Sequence, residues 1–314
     1  MNFLKKKKIN INYKKIKWCI GCGNYSIIMQ LKIILNKLKI KKNKIVLVSG
    51  IGCSSRLPYF LNVSGIHSIH GRSFSIATGI KIANPKLNVW VITGDGDSFS
   101  IGLSNLLHTI RKNININILI FNNEIYGLTK GQKSFTNKNK NNNFNTISLI
   151  LSSGSTFIAR SIDNNINHLK KILKKANKHI GTSCIEIYQN CPIFNKNFLK
   201  KLNIKNTNKY IILKNKKPLL FNNKKKGIIL KNNIPKIVKL KNYSINDLWI
   251  HNENDIYKAY ILSNFKKIQK KLPIPFGIFY KKKIKINKKK KTKNKKINNN
   301  LFFKILKKKL YDII

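Results

Sequence analysis

Acidic residues are the scarcest feature of this sequence: nine Asp and Glu stand against 64 Lys and Arg in 314 residues, a formal charge of +55. Arginine is almost as rare, with Arg56, Arg72, Arg111 and Arg160 as its four positions. Planar recognition of phosphates and guanine edges usually draws on Arg, so this nearly pure Lys excess does not point to specific nucleic-acid binding. The 46 Asn and the abundant Ile share AT-rich codons with Lys, and compositional drift accounts for the charge. Long apolar runs are also missing: none approaches the roughly 18 residues that cross a bilayer, which excludes a membrane-spanning helix. The first residues, Met1 to Lys8, lack the apolar stretch and cleavage site of a secretory leader, so a cytoplasmic protein is expected. What is present, 42% hydrophobic and 10% aromatic residues, is enough for a real core and excludes a disordered chain.

Against that background the exceptions carry information. Twelve of the sixteen Gly lie between Gly21 and Gly131, and Asp95, Asp97 and Glu124 fall in the same window. There the chain reads as alternating helices and strands. Ile27, Ile28, Leu31, Ile34, Leu35 and Leu38 recur at helical spacing, while Lys44–Ser49, Asn88–Thr93 and Asn117–Asn122 are short apolar runs of the buried-strand kind. Helices are expected near 73–83 and 98–111, then a helix near 165–177 and a strand at Cys184–Gln189. The pattern predicts an α/β fold: a mostly parallel sheet with helices on both faces, and ligands in the loops at the carboxyl ends of the strands. Residues 1–195 form the expected main domain. Residues 196–280, with short runs at Lys209–Leu213 and Gly227–Leu230, read as a small C-terminal extension of β-hairpins. Residues 281–314 read as a Lys-rich, partly disordered tail with a terminal helix near Leu301–Leu306.

The second strand ends in Gly94-Asp95-Gly96-Asp97, and 28 residues after Asp95 the next ends in Asn122-Asn123-Glu124-Ile125. Neighbouring strand ends would offer oxygen ligands to one hard cation such as Mg²⁺: the Asp95 carboxylate, the Asn123 amide and the Ile125 carbonyl, with the rest from water and phosphates. Gly94 and Gly96 would let the backbone approach a diphosphate. Alone, Gly-Asp-Gly is a common turn; with the Asn-Asn pair at this distance it resembles the thiamine-diphosphate-binding motif. Asp97 is expected to cap the following helix or touch the diphosphate, and Glu124 to be structural.

Five cysteines remain. Cys19 and Cys22 form a C-x-x-C loop, Cys53 follows the first strand and Cys191 the last, so these four are expected to converge at one rim, while Cys184 is a small core residue. Spacing alone leaves Zn²⁺ and a [4Fe–4S] cluster open. The neighbouring cofactor favours the cluster, because thiamine chemistry produces an electron-rich species for which a cluster is a natural one-electron acceptor.

Taken in order, the segments Trp18–Gly23, Gly50–Pro58, Ile69–Arg72, Ala77–Gly79, Gly94–Asp97, Asn122–Gln132 and Glu186–Cys191 resemble the β subunits of 2-oxoacid:ferredoxin oxidoreductases, closest to the 2-oxoglutarate type. The resemblance implies a thiamine-diphosphate-binding fold. It implies Cys19, Cys22, Cys53 and Cys191 as [4Fe–4S] ligands and Asp95, Asn123 and Ile125 as Mg²⁺ ligands. Ile51, Gly52, Cys53, Ser54, Ser68, Ile69, His70, Gly71, Gly96, Asp97, Gly127 and Leu128 would wall the thiamine diphosphate. His70 would orient substrate or cofactor and Lys130 would meet a substrate carboxylate. The activity implied is oxidative decarboxylation of a 2-oxoacid to acyl-coenzyme A and CO₂, with electrons passed to ferredoxin. In this family the glutamate that activates thiamine comes from the α subunit, or a fused γα subunit, so the chain is expected to work only with that partner. Where relatives tend to carry Ser-Pro after Gly131-Gln132, this chain has Ser134-Phe135-Thr136. Three alternatives stand beside this reading: a pyruvate-type 2-oxoacid oxidoreductase of the same family, a non-redox thiamine enzyme, which has no use for four converging cysteines, and a zinc-bound basic nucleic-acid module, which has none for the Gly-Asp-Gly and Asn-Asn pair.

Overall fold

The strand that begins the sheet, β1 (Ile45–Ser49), is buried at all five positions. A strand covered on both faces cannot afford polar alternation, which is why it appears in the sequence as an unbroken apolar run. The computed structural model describes residues 8–38, 40–137, 144–196, 198 and 208–282. Its further strands are β2 (Ser64–His67), β3 (Asn88–Gly94), β4 (Asn117–Asn122), β5 (Ile125–Tyr126), β6 (Gln132–Lys133), β7 (Phe157–Ile162), β8 (Ser183–Tyr188), β9 (Tyr210–Ile212), β10 (Leu220–Phe221), β11 (Lys226–Lys231), β12 (Ile234–Lys239) and β13 (Ile274–Lys281). The main helices are α1 (Asn24–Lys37), α2 (Ser73–Ala83), α3 (Asp95–Phe99), α4 (Leu103–Lys112), α5 (Thr146–Ser152), α6 (Ile166–Asn177) and α7 (Ile256–Ser263).

Eight strands form one sheet in the order β2-β1-β3-β4-β8-β7-β13-β9. It is parallel from β2 through β7; β13 then adds antiparallel to β7, and β9 runs parallel to β13. The period-2 alternation of side chains divides the core. Val46, Val48, Val89, Val91, Ile118 and Ile120 face one layer, and Ile45, Leu47, Trp90, Ile92, Leu119 and Phe121 the other. Each such buried side chain contributes on the order of 1.5–3 kcal/mol of transfer free energy. Cys184 is fully buried in the first of these clusters, as a small core residue should be.

Three expectations change. The helix expected at 98–111 is two helices, α3 and α4, broken at Ser100–Gly102. The reason is steric: a Cβ on Gly102 would lie 2.4 Å from the Asp97 carbonyl, and the Gly102 amide donates to that carbonyl instead of continuing the helix. Lys209–Leu213 is no hairpin, since β9 pairs in parallel with β13 across more than sixty residues of chain. Gly227–Leu230 does lie in a hairpin: β11 and β12 meet at Asn232-Asn233, both with positive φ, and β10 completes a three-stranded antiparallel sheet. The segment 196–280 thus supplies both this small sheet and two strands of the main one. The described residues belong to one compact unit. The expected terminal helix and all but the first residues of the Lys-rich tail lie outside the described residues.

Candidate active site

The chain leaves β1 toward one edge of the sheet to make β2, then returns past β1 to make β3, so the β1–β3 boundary is where strand order reverses and a crevice opens. The loops after β1, β3 and β4 meet there. They enclose a cleft of about 630 Å³ lined by Ile51, Gly52, Cys53, Ser54, His70, Gly94, Asp95, Gly96, Asp97, Phe121, Asn123, Ile125, Tyr126, Gly127, Leu128, Thr129 and Gln189. All three expected Mg²⁺ ligands are among them, as are nine of the twelve expected cofactor contacts.

Asp95 begins α3 and is almost fully buried. Its Oδ2 accepts from Ser134 Oγ and Thr136 Oγ1, both at 2.5 Å. Burial raises its pKa to about 6, against the opposing hydrogen bonds from Ser134, Thr136 and the backbone amides of Asp95 and Asn123. Asn123 therefore touches Asp95 through its amide. Its Oδ1 accepts from Ile125 N at 3.2 Å, and its Nδ2 donates to Gln189 Oε1 at 2.8 Å. No cationic side chain among the described residues pairs with Asp95. A buried carboxylate beside an amide oxygen and without a counter-charge is a donor set that suits a hard cation.

Asp97 has a different job. Its Oδ1 accepts from Gly71 N at 2.8 Å and Ile51 N at 3.4 Å, its Oδ2 from Thr93 Oγ1 at 2.7 Å, and His70 Nδ1 approaches Oδ1 to 2.5 Å without hydrogen-bond geometry. One carboxylate so ties together the loops after β1, β2 and β3. The fit demands glycine at position 50, where a Cβ would lie 1.9 Å from Asp97 Oδ2.

Ser68, Ile69 and Gly71 do not line the cleft. Ser68 is buried and donates to Ser49 O at 2.8 Å, Ile69 is exposed, and Gly71 packs its backbone against Gly102. Lys130 is exposed on the turn between β5 and β6 and lines no part of the cleft. Tyr126, Ser134, Thr136 and Gln189 were not anticipated. Tyr126 covers Gly96, where a Cβ would fall 2.3 Å from its ring.

The cysteine loops are stitched to the same rim. Gly23 N donates to Asn190 O at 3.0 Å, Asn190 N to Asp163 Oδ2 at 2.7 Å and Asn190 Nδ2 to Gly21 O at 3.1 Å, which fastens the C-x-x-C loop to the chain before Cys191. Trp18 Nε1 donates to Cys53 O at 2.7 Å, fastening it to the loop after β1. Burial pushes the Cys22 thiol up to about 12, and Cys191, Cys53 and Cys19 add to the rise; burial, Cys191 and Cys19 raise Cys53 likewise. Burial and the neighbouring cysteines so disfavour the thiolates of Cys22 and Cys53, a penalty that a bound metal or cluster would relieve. Among the described residues no group of three or more His, Cys, Asp or Glu is arranged to hold a single metal ion.

Residues 50–187 match the family of thiamine pyrophosphate enzymes, C-terminal TPP binding domain. The chain is 47% identical over 193 residues to the 2-oxoglutarate oxidoreductase subunit KorB of Mycobacterium tuberculosis, covering 58% of this chain and 52% of that protein. It is 36% identical to the 2-oxoglutarate synthase subunit KorB of Archaeoglobus fulgidus, over 56% of this chain and 69% of the relative. The chain belongs to the 2-oxoacid:ferredoxin oxidoreductase β-subunit family. A further member, the β subunit of the 2-oxoacid:ferredoxin oxidoreductase of Saccharolobus solfataricus, is 43% identical over 57% of this chain and 63% of its own length. Thus the match spans from about half to 69% of the length of these relatives. In three dimensions the chain is similar to 2-oxoglutarate:ferredoxin oxidoreductase from Magnetococcus marinus, solved with 2-oxoglutarate, coenzyme A and succinyl-CoA bound. The TM-score is 0.68 at 28% identity, covering 88% of this chain and 84% of that one. The thiamine-diphosphate-binding fold expected of the β-subunit family is the fold observed.

Proposed function

We propose that this chain is the thiamine-diphosphate- and cluster-bearing subunit of a coenzyme A-acylating 2-oxoacid:ferredoxin oxidoreductase, with 2-oxoglutarate as substrate. Asp95, Asn123 and the Ile125 carbonyl would hold Mg²⁺, and the Gly52–Ser54, Gly96 and Gly127 backbones would let the diphosphate approach closely. Cys19, Cys22, Cys53 and Cys191 would hold a [4Fe–4S] cluster. A single zinc ion would be structural here, whereas a cluster would serve as the electron acceptor that thiamine chemistry needs, which favours the second. Bound here, thiamine diphosphate supplies the nucleophile and electron sink for 2-oxoacid decarboxylation, and the cluster supplies a one-electron acceptor.

The chain's own residues would set the stage for that chemistry. Asp97 would keep the loops after β1, β2 and β3 in register, and His70, held beside it, would present its imidazole to the cleft. Lys130, although outside the cleft, would approach a substrate carboxylate only through movement of its turn. No glutamate lines the cleft among the described residues, so the group that activates the cofactor would come from an α or fused γα partner. Exposed Ile20, Ile69 and Leu128, with 96%, 72% and 59% of their surfaces open, would meet that partner beside the cleft and the cysteine loop. Ferredoxin would collect the electrons and coenzyme A the acyl group. Five free cysteines suit the reducing cytoplasm, and no helix among the described residues is long and apolar enough to cross a membrane.

The observation that carries this reading is that Cys53 lines the cleft while its thiol lies in the field of Cys191 and Cys19. The chain co-expressed with its partner subunit and purified without oxygen should be brown. It should contain iron, acid-labile sulfide and thiamine diphosphate, and reduce a viologen dye with 2-oxoglutarate and coenzyme A. A colourless zinc protein without thiamine defeats the proposal, and the Cys53→Ser complex should lose iron.

A further inference from the structure

Gln189 follows β8 at the edge of the cleft, where its backbone amide donates to Asn122 O at 2.9 Å and its side chain is 97% buried, with 3% exposed. Its amide touches both proposed centres. Oε1 accepts from Asn123 Nδ2 at 2.8 Å, while Nε2 donates to Cys22 Sγ at 3.3 Å and to Asn190 O, a still closer contact. A carboxamide has one accepting end and one donating end, so these contacts fix each other. With Gln189 Nε2 turned to the sulfur, only Oε1 is left for Asn123. Asn123 must then present its Nδ2 to Gln189 and keep Oδ1 on the opposite side, the side of Ile125 N and the cleft.

We infer that Gln189 is a positioning residue that joins the cation and the iron–sulfur centre, orienting the Asn123 oxygen toward Mg²⁺ and donating an N–H to the Cys22 sulfur. This rests on the function proposed above. Two physical consequences follow. A hydrogen bond to a ligating thiolate favours the more negative, reduced state of a cluster, so Gln189 raises its reduction potential. A cation drawing on Asn123 Oδ1 polarises Nδ2–H and strengthens the bond to Gln189, so cation loading and cluster potential are linked, and linkage is reciprocal.

The test uses the anaerobic complex with its partner subunit, as wild type, Gln189→Leu and Gln189→Glu. EPR-monitored redox titration, with and without Mg²⁺ and thiamine diphosphate, reads the cluster; thiamine fluorescence quenching reads cofactor affinity. Losing one hydrogen bond worth about 1 kcal/mol should lower the reduced fraction at a fixed potential about fivefold. The shift is expected in both variants. Gln189→Leu should also weaken Mg²⁺-dependent thiamine diphosphate binding several-fold, and Gln189→Glu, which keeps the acceptor for Asn123, less. In the wild type, ENDOR spectroscopy in D₂O should detect an exchangeable proton coupled to the cluster that Gln189→Glu removes. This last measurement decides the matter if Gln189→Leu fails to assemble. A wild-type complex without a cluster sinks the proposed function itself. A wild-type complex with a cluster but no such proton, or variants with unchanged potential and cofactor affinity, sinks the role of Gln189 alone.

Discussion

Two clefts of similar size open near the carboxyl ends of the strands, and they differ in how their polar groups are answered. The one between the loops after β1, β3 and β4 holds the buried Asp95 carboxylate without a counter-charge, and the Cys53 thiol, whose ionisation burial opposes. The other, of about 700 Å³, lies on the opposite side of β4, and Arg160, Glu186, Asn122 and Thr146 line it. There Glu186 accepts from Arg160 Nε at 2.6 Å, Asn122 Nδ2 at 2.7 Å and Thr146 Oγ1 at 2.8 Å, while the rings of Tyr188 and Phe279 cover the guanidinium at 5.0 and 5.4 Å. Burial alone would lower the Arg160 pKa, but Glu186 and Tyr188 outweigh it and the pKa is raised. Volume does not separate the two clefts; unmet electrostatic demand does. The boundary runs between adjacent residues, for Asn122 turns its side chain to the ion pair and Asn123 to Gln189 at the other cleft.

Three experiments would break or sharpen this contrast. Glu186→Ala leaves a buried guanidinium unpaired and should cost about 3–5 kcal/mol in denaturant unfolding; a loss below about 1 kcal/mol would mean that the second cleft is not closed on itself. Asp95→Asn should weaken Mg²⁺-dependent thiamine diphosphate binding on the order of a hundredfold in titration calorimetry. The same variant should leave the apo chain as stable or more so, because it removes an uncompensated buried charge. If Asp95→Asn instead destabilises the apo chain as much as Glu186→Ala, the two clefts are of one kind. The smallest effect concerns neither cleft. Burial, and then Lys171 and Lys175, lower the His168 pKa to about 4 from 6.5. Between those values the folded chain binds fewer protons than the unfolded one, so this part of stability is complete above about pH 6.5 and disappears as the pH falls toward 4. It amounts to about 2 kcal/mol allowing for partial exposure. Urea midpoints at pH 7.5 and 5 should differ less in His168→Gln than in wild type. An unchanged difference would point to groups within the clefts.

The sequence made some of this legible and hid the rest for identifiable reasons. β1, β3, β4 and β8 were readable because strands buried on both faces must be continuously apolar, and α2 because its apolar spacing lies between two of them. β2 was not, since all four of its residues are exposed, nor β13, whose Pro275 and Gly277, the latter at φ +134°, are ordinarily strand breakers. Asp95 and the four rim cysteines stood out because Gly, Asp and Cys are rare in a chain of Lys, Asn and Ile, and Asn123 through its spacing from Gly-Asp-Gly. Ser134, Thr136 and Gln189 are common polar residues that gain a role only when distant segments fold onto Asp95 and Cys22, and nothing local marks them.

Because the single Asp97 carboxylate grips the amides of Ile51 and Gly71 and the hydroxyl of Thr93, the loops after β1 and β2 are tied to the end of β3 at one point. The conformational entropy of those loops is surrendered when the chain folds, so a cofactor arriving later meets a preorganised receptor and loses little affinity to loop freezing.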